Sequence, residues 1–175
     1  MKLKNYYFRF SLLFIFSIYS TIHAQNLEWV RSFGAGSLDQ GKDIALDSAG
    51  NVYTVGYFSR TVDFDPGVGV SNLTATGTDL FIQKMDANGN FLWAKKISGT
   101  GPFGTGGSFI SPEALALDDA GNLHITGRFS GIVDFDPGNG VHNLTCVGQL
   151  DIFIVKLDAS GIFQWAHSFG ALGYN

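Results

Sequence analysis

The stretch DLFIQKMDANGNFLWA, at residues 79–94, returns at residues 151–166 as DIFIVKLDASGIFQWA. The ending of this stretch also stands at residues 27–30 as LEWV. One equivalent position of the pattern is therefore occupied by a tryptophan three times, at Trp29, Trp93 and Trp165. Internal repetition of this kind is typical of architectures in which similar units stack on one another.

Around each tryptophan, apolar side chains alternate with others along the chain. Phe91, Trp93 and Ile97 share one face, and Lys96 lies on the opposite face. The alternation predicts a strand with one packed face and one wetter face, as in the outer strand of a sheet. The same pattern predicts a lone outer strand at residues 27–33, ahead of the first complete unit.

Each unit also contains short apolar segments that are separated by a repeated turn sequence. An aspartate precedes a glycine by three residues at four places, namely Asp47, Asp86, Asp118 and Asp158. Aspartate can accept a hydrogen bond from the backbone two residues on, and glycine adopts the positive φ that closes a tight hairpin. A calcium loop is the alternative, but the alternate oxygen ligands of an EF-hand are absent, which favours hairpin turns.

Two further features complete the unit. The segment VDFDPG, beginning at Val62 and at Val133, predicts an extra hairpin, because Asp-Pro-Gly forces a turn. The following strand is apolar on both faces, with Phe153 on one and Ile152 on the other. A strand of this composition is expected in a sheet that is covered on both sides.

Four strands in meander order per repeat predict propeller blades at about residues 43–98 and 114–169. No segment after residue 24 has convincing helical periodicity. The sequence therefore predicts an all-β protein, an incomplete beta-propeller of two full blades, four-stranded antiparallel meanders, plus the lone outer strand at residues 27–33.

The pattern IALDSAGNVYTVGYF followed by DLFIQKMDANGNFLWAK resembles the SBBP-type beta-propeller repeat of secreted bacterial proteins. The resemblance extends over nearly all of residues 27–175. It implies an exported multi-blade propeller, often ahead of a C-terminal sorting or adhesion domain, with no established enzymatic activity. With two complete repeats and no sorting domain, we expect a fragment of a longer protein whose remaining blades complete the ring. Several copies that assemble one ring are the alternative.

The beginning of the chain has the features of a signal peptide. Three basic residues precede an uncharged apolar run at residues 10–22, and Ala24 offers a small residue for cleavage before Gln25. The run is shorter than the roughly 20 apolar residues of a membrane span. We therefore predict a signal peptide at residues 1–24 and a propeller-repeat region at residues 25–175. The protein is expected to be exported, extracellular or at the cell surface, without a stable membrane span after cleavage.

The net charge and the single cysteine indicate which partners and covalent bonds are not expected. Without residues 1–24, eight Lys and Arg stand against fifteen Asp and Glu, a formal charge near −7. An acidic surface repels phosphate backbones, so a nucleic-acid partner is not expected. The single Cys146 cannot form an internal disulfide, and its neighbours suggest a buried, small apolar residue rather than a reactive thiol.

The candidate chemical groups are paired carboxylates in the hairpins, at Asp63, Asp65, Asp134 and Asp136. Residues two apart on a strand point to the same face, where they could hold a cation or flank a glycosidic bond. The alternative is that one aspartate caps the Pro-Gly turn and the other is solvated. Repetition favours this alternative, because a catalytic site is usually singular. His124, His142 and His167 show no metal-ligand spacing.

These observations favour a non-catalytic binding, adhesion or scaffold module at the cell surface, with no catalytic, cofactor or metal residues and no cofactor. The alternative is the propeller part of a secreted carbohydrate-active enzyme, which should carry singular polar clusters. Any glycan or protein partner is expected at the rim that carries the VDFDPG hairpins and the loop at residues 98–112. Scaffolds place function on loops that vary in length, and the opposite rim carries only tight turns.

Overall fold

The computed structural model describes residues 27–36, 38–100 and 108–171. The predicted signal peptide at residues 1–24 lies outside the described residues. The described residues form strands and no helix, which confirms the predicted all-β class. Nowhere in these three ranges is there a helix long and apolar enough to cross a membrane. The strands are β1 (Gln40–Leu46), β2 (Val52–Asp63), β3 (Asn72–Met85), β4 (Phe91–Gly99), β5 (Phe109–Leu117), β6 (Leu123–Ser130), β7 (Ile132–Asp134), β8 (Asn143–Thr145), β9 (Asp151–Leu157) and β10 (Phe163–Phe169).

The strands pair in two antiparallel meanders. Strands β1 to β4 pair in chain order and form what we call the first meander. Strands β5, β6, β9 and β10 pair in the same way and form the second meander. A parallel bridge between Thr78 and Phe109, and a short pairing of β4 with β7, join the two. Four-stranded antiparallel meanders are the units of a beta-propeller.

The VDFDPG segments form the extra hairpin that the sequence predicts. In the first meander they extend β2 and β3, where Val62 pairs with Leu73. In the second they form β7 and β8, where Val133 pairs with Leu144. Each hairpin lies between the second and third strands of its meander and folds back along it instead of lengthening the sheet. In the first meander Gln83 Nε2 of β3 donates to the carbonyl oxygen of Phe64 at 2.6 Å, and in the second β7 runs antiparallel to β4.

The four tight turns have the geometry that the repeated Asp and Gly predict. In each turn the aspartate Oδ1 accepts hydrogen bonds from the backbone N–H groups two and four residues on, at 2.8–3.0 Å. The glycines have φ between 74° and 78°. Each carboxylate thus closes its own hairpin, as expected for an aspartate turn. We call the end of the molecule that carries these turns the tight-turn rim and the opposite end the loop rim.

The two meanders pack face to face around a shared core. Asp43 Oδ2 in β1 accepts a hydrogen bond of 2.7 Å from Leu115 N in β5. Tyr53 Oη lies 3.5 Å from the carbonyl oxygen of Ala159 across the same interface. The core contains Tyr53, Val55, Leu80, Ile82 and Ile97 from the first meander, and Leu115, Ile125, Phe153, Val155 and Leu157 from the second.

The prediction that the third strand is buried on both faces is correct for β3 and wrong for β9. Leu80 and Phe81, which point to opposite faces of β3, are both buried. In β9, Phe153 is buried but Ile152 is 58% exposed. The reason is that no other meander of the described chain packs on the face of the second meander that carries Ile152.

The predicted outer strand at residues 27–33 is not a strand in the structure. We call residues 27–35 the N-terminal segment. A strand needs a neighbour for its backbone hydrogen bonds, and here the side chains hold the segment instead. Trp29 Nε1 donates to the carbonyl oxygen of Ala87 at 3.0 Å, and Arg31 Nε donates to that of Gly89 at 3.1 Å. The ring of Phe33 lies 5.7 Å from that of Phe81.

The N-terminal segment nevertheless takes the position of an outer strand relative to the unit that follows it. Trp29 lies against the turn of the first meander, where a Cβ added to Gly89 would be 2.7 Å from the indole ring. Trp93 of β4 lies in the same way against the second meander, 3.1 Å from a Cβ added to Gly161. The tryptophan of each unit therefore covers the turn between the third and fourth strands of the next unit.

Both repeats have a residue with positive φ where the hairpin begins, but the residue type differs. Arg60, in β2 at the start of its hairpin extension, has φ of 63°, and the equivalent Gly131 has φ of 71°. A left-handed conformation costs a residue with a Cβ roughly 1–2 kcal/mol, and glycine loses part of this advantage through its greater chain entropy. We expect Arg60→Gly to raise the free energy of unfolding by up to about 1 kcal/mol, measured by urea denaturation.

The matched control is Gly131→Ala, because its Cβ would lie 3.0 Å from Ser108 Cα in a strained conformation. This substitution should lower the free energy of unfolding. A destabilising Arg60→Gly together with a neutral Gly131→Ala would contradict this account of the two positive-φ positions.

Candidate functional site

The paired carboxylates of the first hairpin are bound within that hairpin. Asp63 Oδ1 accepts hydrogen bonds from the backbone N–H groups of Asp65 at 3.0 Å and Ser71 at 2.8 Å. Asp65 Oδ1 accepts one from Gly67 N at 2.8 Å. Asp65 therefore caps the Pro-Gly turn, as the structural alternative predicts. Asp63 is not simply solvated, because it closes the loop with two backbone hydrogen bonds.

The second hairpin repeats this arrangement. Asp134 Oδ1 accepts from Asp136 N at 3.1 Å and from His142 N at 2.8 Å. Asp136 Oδ1 accepts from Gly138 N at 2.7 Å. Between the two aspartates of each hairpin stands a fully buried phenylalanine, Phe64 or Phe135. Alternation along the strand therefore anchors the hairpin on one face and ties its loop on the other.

The histidines and the cysteine do not converge on one site. His124 Nε2 lies 3.4 Å from Asp118 Oδ2, and His142 Nε2 lies 3.3 Å from the carbonyl oxygen of Ala166. Within residues 27–36, 38–100 and 108–171, no group of three His, Cys, Asp or Glu side chains could hold a metal ion. Cys146 is half-buried, and desolvation raises the pKa of its thiol, which favours the neutral form.

Two buried aspartates beneath the loop rim had no predicted role. Asp79 and Asp151 are each 1% exposed. Asp151 begins β9, and its equivalent Asp79 lies in β3 after the hairpin extension of that strand. Asp79 Oδ2 accepts hydrogen bonds from Thr76 N at 3.1 Å and Ser98 Oγ at 2.7 Å. Asp151 Oδ2 accepts from Val147 N at 2.9 Å. Their position at the start of the repeated stretch was the available signal, and their bonds hold the chain where it returns from the hairpin.

The hairpins, which the sequence places at the loop rim, instead fold back along the meanders, so that Gly67 and Val68 line a pocket of about 210 Å³ with Gly89 and Asn90 of a tight turn. Their tips present apolar side chains. Val68 is fully exposed at the tip of the first hairpin. Val70 and its equivalent Val141 are each 73% exposed. A depression of about 190 Å³ lies where β4 meets β7, on the side of the loop rim, and is lined by Lys96, Ser98, Asp134, Asp136, Pro137 and Gly138. Of the loop that was expected to border this rim, residues 101–107 lie outside the described residues.

A cleft of about 410 Å³ opens on the tight-turn rim, between the two meanders. It is lined by Asp47 and Asp118, the aspartates of the two first turns, and by Tyr53 and Lys84. Asp47 Oδ2 accepts a hydrogen bond from Asn51 Nδ2 at 2.8 Å and lies 3.6 Å from Lys84 Nζ. Both turns thus direct a carboxylate toward the cleft, and each of these carboxylates already has polar partners.

The pKa values of both carboxylates are lowered. Burial works to raise the pKa of Asp47, but hydrogen bonds from Asn51 and Ala49 and the charge of Lys84 outweigh it. Asn122 and Lys156 donate to Asp118 Oδ2 at 2.8 Å and 3.0 Å. These bonds hold the pKa of Asp118 well below its usual range. The carboxylates are therefore ionised near neutral pH and serve their own turns.

The lowered pKa of Asp118 makes a contribution to stability that depends on pH. A pKa that is lower in the folded than in the unfolded state stabilises the fold above about pH 4, and this stabilisation is lost as the pH falls through the folded pKa. We expect Asp118→Asn to lower the melting temperature by a few degrees at pH 7 and by less at pH 3. The control is Asp119→Asn at the exposed neighbour, which should leave the pH profile unchanged. A difference between wild type and Asp118→Asn that is the same at both pH values would contradict this.

Comparison with known proteins agrees with this architecture. The chain is 28% identical over 166 residues to a WD repeat-containing protein of Acanthamoeba polyphaga mimivirus, in an alignment that covers 78% of this chain. The chain corresponds to 11% of the length of that relative. Residues 28–57 match the family model of the SBBP beta-propeller repeat. The matched range runs from the N-terminal segment through β1 into β2. The chain thus carries the beta-propeller repeat that the sequence resembles.

Proposed function

We propose that this chain is part of an exported, non-catalytic propeller module that binds a partner at the cell surface through its VDFDPG hairpins. The supporting observation is that the repeated carboxylates hold their own hairpins together. Asp63, Asp65, Asp134 and Asp136 each accept hydrogen bonds from the backbone of their own hairpin. Groups that are copied in each repeat and bound within it build a scaffold.

The same bonds make the hairpins suitable for recognition. They fix the hairpins, so that a partner is met by a surface that is already ordered, and pre-organisation reduces the entropy lost on binding. Exposed apolar side chains on this fixed surface, such as Val68 and Val141, are typical of contacts with another protein. The partner is a surface glycan or protein, and the valines favour a protein.

A binding assay on the cells or matrix that carry the partner tests which surface is used. The variant Val68→Glu combined with Asn139→Glu alters the two equivalent hairpin tips. The control, Ser48→Ala combined with Asp119→Asn, alters the lining of the cleft between the meanders. We expect binding to fall at least tenfold in the first variant and to persist in the control. Binding that is lost only in the control would place recognition at the 410 Å³ cleft instead.

The absence of catalysis is tested separately. Polysaccharide hydrolysis by the wild-type chain that disappears in Asp63→Asn or Asp134→Asn, with the fold retained, would contradict the proposal. We expect no turnover in any of these proteins.

A further inference from the structure

Equivalent residues of the two repeats differ in burial on the face of the first meander that no other described meander covers. Leu115 in β5 is 8% exposed because it faces the first meander. Its equivalent in β1, Ile44, is 57% exposed, and Leu46 beside it is 63% exposed. The second meander packs on the first with the face that carries Leu115. The equivalent face of the first meander, which carries Ile44 and Leu46, is therefore open in its inner part.

The second meander leaves the opposite face open. Leu80 is fully buried in the first meander, whereas its equivalent Ile152 is 58% exposed. On this face lies a groove of about 230 Å³ with a mostly apolar lining, formed by Ala114, Leu115, Ala116, His124, Ile125, Thr126 and Ile154. The residues at the equivalent position in the first meander, including Ala45 and Tyr53, contribute to the core shared with the second meander. The groove is therefore equivalent to a surface that one repeat of this chain already covers.

The outer parts of the two open faces correspond in the same way. In β10, Trp165, His167 and Phe169 stand at the positions of Trp93, Lys95 and Ile97 in β4. Ile97 is fully buried against the next unit, whereas Phe169 is 59% exposed. On the first meander, the N-terminal segment fills the corresponding site with Trp29 and Phe33.

Charge supports the same pairing of faces. Within the chain, Lys42 Nζ in β1 lies 3.7 Å from Glu113 Oε2 in β5, and the two residues occupy equivalent positions of their repeats. A further unit stacked by the same rule would bring Glu113 of one copy beside Lys42 of the next. The charges are again opposite, so the ion pair is preserved in reversed order.

We propose that the open faces bind each other head to tail between two copies of this chain. The groove of one copy receives Ile44 and Leu46 of the next, while Trp165 and Phe169 take the site that Trp29 and Phe33 fill in the isolated chain. The N-terminal segment is therefore an exchangeable cap that opposes assembly. The contact joins two different surfaces, so it leads to a ring if the rotation closes and to an open chain if it does not.

Because the N-terminal segment opposes assembly, removing its apolar side chains should strengthen association between copies. In sedimentation velocity on the full chain, Trp29→Ala combined with Phe33→Ala should self-associate at least tenfold more tightly than wild type. Adding Ile154→Asp, which charges the groove, should abolish this gain. Adding Val141→Asp, in the second hairpin, whose strand β7 pairs with β4 between the two meanders, should leave it unchanged.

Circular dichroism establishes that each variant is folded, and Trp29→Ala alone, which keeps Phe33 in its cluster, serves if the double variant is not. A folded cap variant that associates no more tightly than wild type would overturn the proposal, and the open faces would then have another occupant. Association that persists with Ile154→Asp would overturn it as well, because the contact would lie elsewhere.

Discussion

Replacing Phe153 with alanine is expected to lower the free energy of unfolding by about 3–5 kcal/mol, the usual cost of removing a fully buried phenylalanine. Phe153 lies in the core between the meanders and is fully buried. Its ring centroid is 5.0 Å from that of Phe135 and 6.3 Å from that of Phe129. The cavity left by alanine would separate the strand β9 from the hairpin that Phe135 anchors.

The adjacent residue in the same strand provides the control. Ile152 points to the open face of the second meander and is 58% exposed. We expect Ile152→Ala to change stability by no more than about 0.5 kcal/mol under dilute conditions, because surface substitutions usually have effects of this size. Urea denaturation measures both variants. Equal losses for Phe153→Ala and Ile152→Ala would contradict the assignment of the two faces.

Alanine at Gly56 or at its equivalent Gly127 is expected to be nearly as disruptive. A Cβ at Gly56 would overlap the carbonyl oxygen of Gln40 and lie 2.7 Å from Phe81 Cζ. One at Gly127 would overlap the carbonyl oxygen of Ser111. These oxygens belong to paired strands and cannot move without breaking the sheet. Overpacking usually costs about 1–3 kcal/mol, and contact with backbone places both variants at the upper end.

Gly41→Ala is the control for these substitutions. Gly41 lies in β1, opposite Gly56, but an added Cβ would have only Thr54 Cγ2 nearby, at 3.9 Å. Thermal unfolding should show a large decrease in melting temperature for Gly56→Ala and Gly127→Ala and almost none for Gly41→Ala. Similar melting temperatures for all three would show that the first two strands do not approach each other as closely as described.

The parts of the fold that depend on local chemistry could be predicted from the sequence. The turn at Asp47 needs only a carboxylate within reach of two backbone N–H groups and a glycine with positive φ. Both residues can be read directly from the sequence. The strand order followed from the repeated alternation of apolar residues. The repeated carboxylates could be interpreted as structural because they occur in every unit.

The parts that depend on neighbours could not be predicted in this way. The apolar pattern at Ile152 and Phe153 shows two apolar faces, but it does not show whether a further unit covers the second one. The alternation in the N-terminal segment is that of a strand, yet pairing requires a strand beside it. Asp79 and Asp151 stand where the chain returns from the hairpin, where the sequence gives no sign of burial, and only the folded-back chain buries them.

The most direct test concerns the rule by which the units stack. Trp29 lies against Gly89, and Trp93 lies against Gly161, in the same arrangement. Nuclear Overhauser effects should therefore connect each indole ring to the α-protons of its glycine, and ring currents should shift those α-protons. Trp29→Phe should remove the effects at Gly89 and leave those at Gly161. Normal glycine shifts without contacts to either tryptophan, in a folded protein, would contradict the stacking of one unit on the next.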